Sequence, residues 1–206
     1  MILINGQIDE AGKMTGRASI NSFDYARLGP AALVKKGKDK FLEQLNKEAG
    51  PGMTIEEVSF ENAESDSLPL VQKINFNQTL NSSGDYSYFS VNLFTGLEKN
   101  PFVADDRFSD VFFGMNQSYV VVGNFVVPEG TIFEELPKNM KMIMPDTSIT
   151  ISRVSQVSGN RLSVRFQLDF KRPFYPASQY AEFREFYKQL FELLNEQFVI
   201  RKKANP

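Results

Sequence analysis

The 206-residue chain contains no cysteine, no histidine and no tryptophan. Without cysteine there are no disulfides, no zinc–thiolate sites and no thiol nucleophile. Without histidine there is no imidazole to act as a general base near neutral pH, so neither a serine–histidine nor a cysteine–histidine triad can be assembled. Nitrogen-ligated transition-metal sites are excluded by the same absence. The compartment stays open, because a large domain needs no disulfide to be stable outside the cytosol. An excess of one charge is also lacking. With 23 basic against 25 acidic residues the formal net charge is −2, and no basic stripe of the kind that tracks nucleic acid is present. Lys35-Lys36-Gly37-Lys38 and Arg201-Lys202-Lys203 flank expected element ends and read as solvated cations. No apolar run approaches the roughly 18 residues of a membrane-spanning helix. Met1-Ile2-Leu3-Ile4 gives way to Asn5, Gly6 and Gln7 before the apolar region of a secretory signal develops. The glycine patterns that cradle nucleotide phosphates are missing as well.

What is present is an ordinary globular composition, 42% hydrophobic and 23% charged, close to the average for folded domains. Nineteen phenylalanines supply most of the aromatic core. The pattern along the chain is mainly that of short strands. Ile2, Ile4 and Ile8 alternate before the turn Asp9-Glu10-Ala11-Gly12, and Met14 to Ser22 returns as a hairpin partner. A strand already under way at the first residues suggests a piece of a longer polypeptide. A helical insertion spans about 24–49, interrupted at Gly29-Pro30 and resuming from about Asp39 to Ala49 with Phe41, Leu42 and Leu45 on one face. Strand signals then follow at Ile55/Val58/Phe60, at Val71/Ile74/Phe76, with Asn81-Ser82-Ser83-Gly84 as a turn, and at Tyr86/Tyr88/Val91/Leu93. Thr95 to Asp106 reads as a loop. Further strands are expected over Phe108–Phe113, Ser118–Val127, Met140–Met144, Ser148–Val157 and Arg161–Phe170, the last two joined by the hairpin signal Ser158-Gly159-Asn160. From about Ser178 to Glu196 the period becomes helical. Phe183, Tyr187, Leu190 and Leu194 form one stripe, while Glu182, Glu185, Lys188, Glu192 and Glu196 lie mainly off it. Phe198-Val199-Ile200 closes as a short strand. The expected fold is a single α+β, mainly β domain over 1–206: antiparallel sandwich-like sheets, an N-terminal helical insertion and a C-terminal amphipathic helix.

No pattern singles out a catalytic, cofactor or metal site. Asp105-Asp106, Glu56-Glu57 and Glu134-Glu135 are adjacent carboxylates whose side chains diverge, and a carboxylate-based hydrolase needs two that converge across a cleft. Asp9, Glu10 and Gly12 lack calcium-loop spacing. For binding, Tyr86 and Tyr88 could stack on a sugar or a peptide, with Tyr119 and Tyr175 as further aromatics, although same-face rings also arise from cross-strand packing. Arg107 with Asp106 and Asp110 is the candidate polar cluster.

Several segments together resemble one known arrangement. They are Asp9-Glu10-Ala11-Gly12-Lys13-Met14-Thr15-Gly16, Tyr25-Ala26-Arg27, Asn100-Pro101-Phe102 with Asp106-Arg107, Val127-Pro128-Glu129-Gly130 with Glu135-Leu136-Pro137-Lys138, and Tyr180-Ala181-Glu182-Phe183-Arg184-Glu185-Phe186. In order and spacing the chain resembles the C-terminal β-rich domain of unknown function that follows the transglutaminase-like domain in bacterial transglutaminase-like proteins. The resemblance implies an accessory domain of a periplasmic or extracellular protein, partnered by a transglutaminase-like domain of the same polypeptide that carries the Cys–His–Asp residues. No position here can receive that cysteine or histidine. The alternative is a glycan- or peptide-binding module. No cofactor is implied.

Overall fold

A computed structural model describes residues 1–203 of the chain. Its elements are β1 (Ile2–Ile8), β2 (Lys13–Ser22), α1 (Leu28–Val34), α2 (Lys38–Glu48), β3 (Met53–Glu61), β4 (Leu70–Thr79), β5 (Asn81–Ser83), β6 (Tyr86–Phe89), β7 (Val111–Phe112), β8 (Gln117–Val126), β9 (Thr131–Glu135), β10 (Met140–Ile143), β11 (Ile149–Ser158), β12 (Arg161–Phe170), β13 (Phe174–Tyr175), α3 (Tyr180–Asn195) and β14 (Phe198–Lys202). The fold is mainly β, as the strand spacing implies. An eight-stranded sheet runs β10-β11-β12-β8-β1-β2-β4-β3, a four-stranded sheet runs β5-β6-β14-β9, and β13 pairs with β7. The large sheet is mixed. Two four-stranded antiparallel halves meet at the parallel pair β1–β8, with Ile2 opposite Val121 and Gln7 opposite Val126.

One face of this sheet is core and the other meets water. On β12, Leu162, Val164, Phe166, Leu168 and Phe170 are buried, while Arg161, Ser163 and Arg165 between them are exposed. Three glycines thin the core face near its centre. A Cβ on Gly16 would lie 2.4 Å from Phe76 Cζ, and one on Gly123 would lie 2.5 Å from Phe125 Cε2. One on Gly6 would lie 2.9 Å from Phe125 Cδ1. The missing side chains are therefore the space in which two fully buried rings lie across the sheet.

Two covers close the core. The small sheet brings Phe89 to 5.1 Å from Phe125 and 5.6 Å from Phe198, between ring centroids. Helix α3 lays down Phe183, Tyr187, Leu190 and Leu194, the expected stripe, widened by Tyr180, Phe186 and Phe191. The Phe183 ring sits 4.6 Å from Tyr175, 4.7 Å from Tyr187 and 4.9 Å from Phe102. Arg153 of β11, buried beneath the helix end, donates to Leu193 O at 3.1 Å and Lys138 O at 2.9 Å and pairs with Glu196. A cation thus satisfies a carbonyl that the last turn of α3 leaves free.

Several boundaries differ from the sequence expectations. Pro30 does not break α1, because it lies in the first helical turn, where its missing N–H costs no hydrogen bond. Asn81–Ser83 is a strand pairing with β6, and the turn falls at Gly84-Asp85. β6 stops at Phe89, while Val91 and Leu93 are buried in the loop beyond it. Within β6 the core side is Ser87 and Phe89, which turns Tyr86 and Tyr88 outward. Only Val111–Phe112 of the expected 108–113 strand is a strand, and Phe108 is fully exposed. β9 carried no recognised strand signal. On β3 the register shifts between Ile55 and Glu57, a bulge that explains why Ile55 and Val58, three apart, face the same way.

Candidate functional site

At one end of the large sheet the core face runs out from under its covers. The α1–α2 insertion folds over this end, held by the Phe41–Phe60 ring contact at 4.8 Å and by Asn46, whose amide bridges Ile55 O at 3.1 Å and Ile55 N at 2.9 Å. It does not seal the end, and an open groove of about 1170 Å³ is left. Its floor is the last part of β2 and the first part of β4, including Ile20, Ser22 and Gln72. One wall is helical, with Leu33, Phe41 and Leu45, and the other is formed by Phe94–Gly96 with Met115–Val120. The rim carries Phe23 and Tyr25, 50% and 67% exposed.

The floor is where the sheet's pattern changes. On β4 the core-side series is Leu70, Gln72, Ile74, Phe76, and on β2 it is Ala18, Ile20, Ser22, with Gln72 opposite Ile20. Gln72 is 4% exposed and Ser22 7%. Both line the groove, and among the described residues neither side chain is hydrogen-bonded to another protein group. A largely buried amide whose donors and acceptor open on a groove is free to bond water or an incoming ligand. Tyr119, also in the wall, donates to Gln117 Oε1 at 3.0 Å, and burial pushes its phenol up from the ordinary tyrosine range.

The backbone here is held away from its easy conformations. Asp24 at φ 44° and Phe94 at φ 63° both line the groove, and left-handed geometry costs a non-glycine residue about 1–3 kcal/mol. The charged side chains of the lining are Asp24, Glu48 and Glu98, with no lysine or arginine. Glu48 accepts from Gln44 at 2.5 Å. The Met1 amino group at the edge donates to Asn21 O at 2.8 Å.

A family model for a domain of unknown function with a solved structure, DUF3858, matches residues 85–200, which is more than half of the chain. The chain belongs to the DUF3858 family. The matched region begins just before β6 and ends in β14, so the groove is composite: its Phe94–Glu98 and Met115–Val120 wall lies within the DUF3858 region, and its floor and helical wall lie before it. Among solved structures, a "putative protease" from Parabacteroides distasonis matches at 11% identity and a TM-score of 0.45, over 56% of this chain and 23% of that one. The chain therefore spans less than a quarter of that protein's length. No curated protein matches the sequence.

The residues singled out from the sequence are distributed differently from the groove. Tyr86 and Tyr88 share the outward face of the DUF3858 small sheet, opposite Arg201 and Val199. Tyr86 is 39% exposed and Tyr88 is half-buried. Arg107 does not join Asp106 and Asp110. Its Nε donates to Ser109 O at 2.9 Å and its guanidinium lies 5.8 Å from the Phe102 ring centroid, while Asp110 accepts from Ala177 N at 2.8 Å. Tyr175 is fully buried, so the four tyrosines line no common concavity, and only Tyr119 reaches the groove. The carboxylate pairs are exposed: Asp105 meets Arg184 at 2.6 Å, Glu57 accepts from Asn75 at 3.0 Å and Glu134 from Arg201 at 3.0 Å. Among the described residues no three carboxylates gather as metal ligands, and no helix is long and apolar enough to cross a membrane. Sequence reasoning missed Gln72 and Ser22. Their signal was a polar residue within each apolar core-side series, visible only once the strand phase was known.

Proposed function

We propose that the chain is a non-catalytic accessory module that holds a polypeptide segment in its groove. In a longer periplasmic or extracellular protein it would support a transglutaminase-like or protease-like neighbour. The observation that carries this reading is the pair of largely buried polar side chains, Gln72 and Ser22, whose polar atoms open on the floor of the groove without a protein partner. An amide that can both donate and accept is complementary to a peptide group, and the groove is larger than the roughly 300–1,000 Å³ usual for small-molecule sites. The lack of cysteine and histidine supports the non-catalytic part, since no nucleophile–imidazole couple can form. The resemblance to transglutaminase-associated domains supports the accessory role. A tethered module of this kind would hold a captured segment at roughly millimolar local concentration beside its neighbour.

The test is hydrogen exchange on the purified chain with and without a mixture of denatured polypeptides. Slowed exchange confined to the end of β2, the start of β4, the α1–α2 insertion and residues 94–98 and 115–120 is expected. Unchanged exchange there would remove the binding role, and peptide hydrolysis or cross-linking by the chain alone would remove the non-catalytic one.

A further inference from the structure

Resting on that reading, we infer that the groove selects extended segments in which a lysine or arginine is flanked by apolar residues. The side chains around it carry three carboxylates, Asp24, Glu48 and Glu98, and no basic group. None of the three has an ion-pair partner among the described residues, although Glu48 accepts from the Gln44 amide. The groove lining thus sets three carboxylates against the single amino group of Met1, in a molecule that is otherwise nearly balanced, and this field favours a cation.

Apolar complementarity supplies the second half. Ile20, Leu33, Leu45 and Phe94 line the groove as half-buried side chains, leaving apolar surface for a ligand to cover. Gln72 lies between the apolar floor positions and meets the main chain of the incoming segment rather than its side chains. A segment that pairs its backbone with Gln72, lays an apolar side chain against Leu33 and Phe94, and turns a cation toward Asp24 or Glu98 matches the amide, the apolar lining and the charge of the site together. A neutral oligosaccharide leaves the carboxylates unpaired, and an acidic segment is repelled by them.

Fluorescence anisotropy with four labelled probes tests this on the full chain: a decapeptide with two lysines among leucines and alanines, the same peptide with glutamine for lysine, the same with glutamate, and a chitooligosaccharide. The lysine peptide is expected to bind most tightly, the glutamate peptide least, with the lysine preference shrinking as salt is raised. Asp24→Asn and Glu98→Gln each weaken the lysine peptide about two- to fivefold and leave the glutamine peptide unchanged. Gln72→Leu weakens both peptides about fivefold, the equivalent of one neutral hydrogen bond. Its thermal midpoint stays level or rises, a combination that a purely structural glutamine would not show. Equal binding of the lysine, glutamine and glutamate peptides overturns the basic preference while leaving a polypeptide groove in place. Binding of the oligosaccharide alone, or of no probe, overturns the polypeptide reading beneath it.

Discussion

Phe183→Ala tests whether α3 is core. The ring is fully buried, and Tyr175, Tyr187 and Phe102 lie within 4.9 Å of it, centroid to centroid, with Phe113 at 6.2 Å. Phenylalanine-to-alanine changes in cores cost about 3–5 kcal/mol, more where the site cannot collapse. Collapse is hard here, because the neighbours are rigid rings locked against one another: Phe102 also meets Tyr187 at 4.8 Å, and Tyr187 meets Phe170 at 6.0 Å. The upper half of the range, about 4–5 kcal/mol, is therefore expected. For a chain of this length about 1 kcal/mol moves the thermal midpoint by roughly 2–4 °C, so the variant should melt about 8–20 °C lower. Lys188, on the exposed side of the same helix, is the control, and its alanine variant should stay within about 0.5 kcal/mol of the parent. Urea denaturation followed by circular dichroism measures both. Matching midpoints for the two variants would refute the packing argument, because the stripe would then not be where the helix derives its stability.

Gly16→Ala should destabilise by about 1–3 kcal/mol, since its Cβ would fall 2.4 Å from the buried Phe76 ring, and a Gly16→Ala/Phe76→Leu double variant should recover part of that loss in the same denaturation assay. Arg153→Met should cost about 3 kcal/mol, because it removes the donors to Leu193 O and Lys138 O. Glu196→Gln should cost under about 1 kcal/mol, its carboxylate being 45% exposed. Burial pushes the Tyr187, Tyr175 and Tyr119 phenols above the ordinary tyrosine value. The unfolded chain therefore releases those protons first, near pH 10, and stability should fall as pH rises past that value. The slope of the denaturation midpoint against pH between 9 and 11 measures this, and Tyr187→Phe should flatten it.

Local periodicity made the elements legible where side chains alternate between core and water. The β1–β2 and β11–β12 hairpins follow from their alternation and turn residues, and α3 from its Phe183/Tyr187/Leu190/Leu194 stripe. Long-range pairing was not legible. The parallel β1–β8 contact joins segments more than a hundred residues apart, and an apolar strand reads the same whichever neighbour it meets. Short elements fared worst. Phe108 and Phe112 look like core in a sequence, yet 108–112 contributes only a two-residue ribbon whose outer rings face solvent. The tyrosine candidates were named for their chemistry, but exposure decides whether a ring can bind, and exposure of Tyr175 depended on α3 packing over it.

The groove was illegible for a related reason. Val71, Ile74 and Phe76 gave β4 its strand character, but the core-side phase is Leu70, Gln72, Ile74, Phe76, and in that phase Gln72 is the anomaly. A glutamine in a closed core would face an unpaired-amide penalty of about 1–3 kcal/mol. At position 72 the core face passes beyond α3 and the small sheet, and the α1–α2 insertion covers it only in part. The polar floor, the strained Asp24 and Phe94 and three carboxylates fall together at this one place. None of them stabilises the isolated fold, and the left-handed Asp24 and Phe94 are a cost that the rest of the core offsets. Their coincidence distinguishes the groove from the exposed Phe108–Phe112 ribbon, where the Tyr175 hydroxyl is also buried without a partner but does not line the groove.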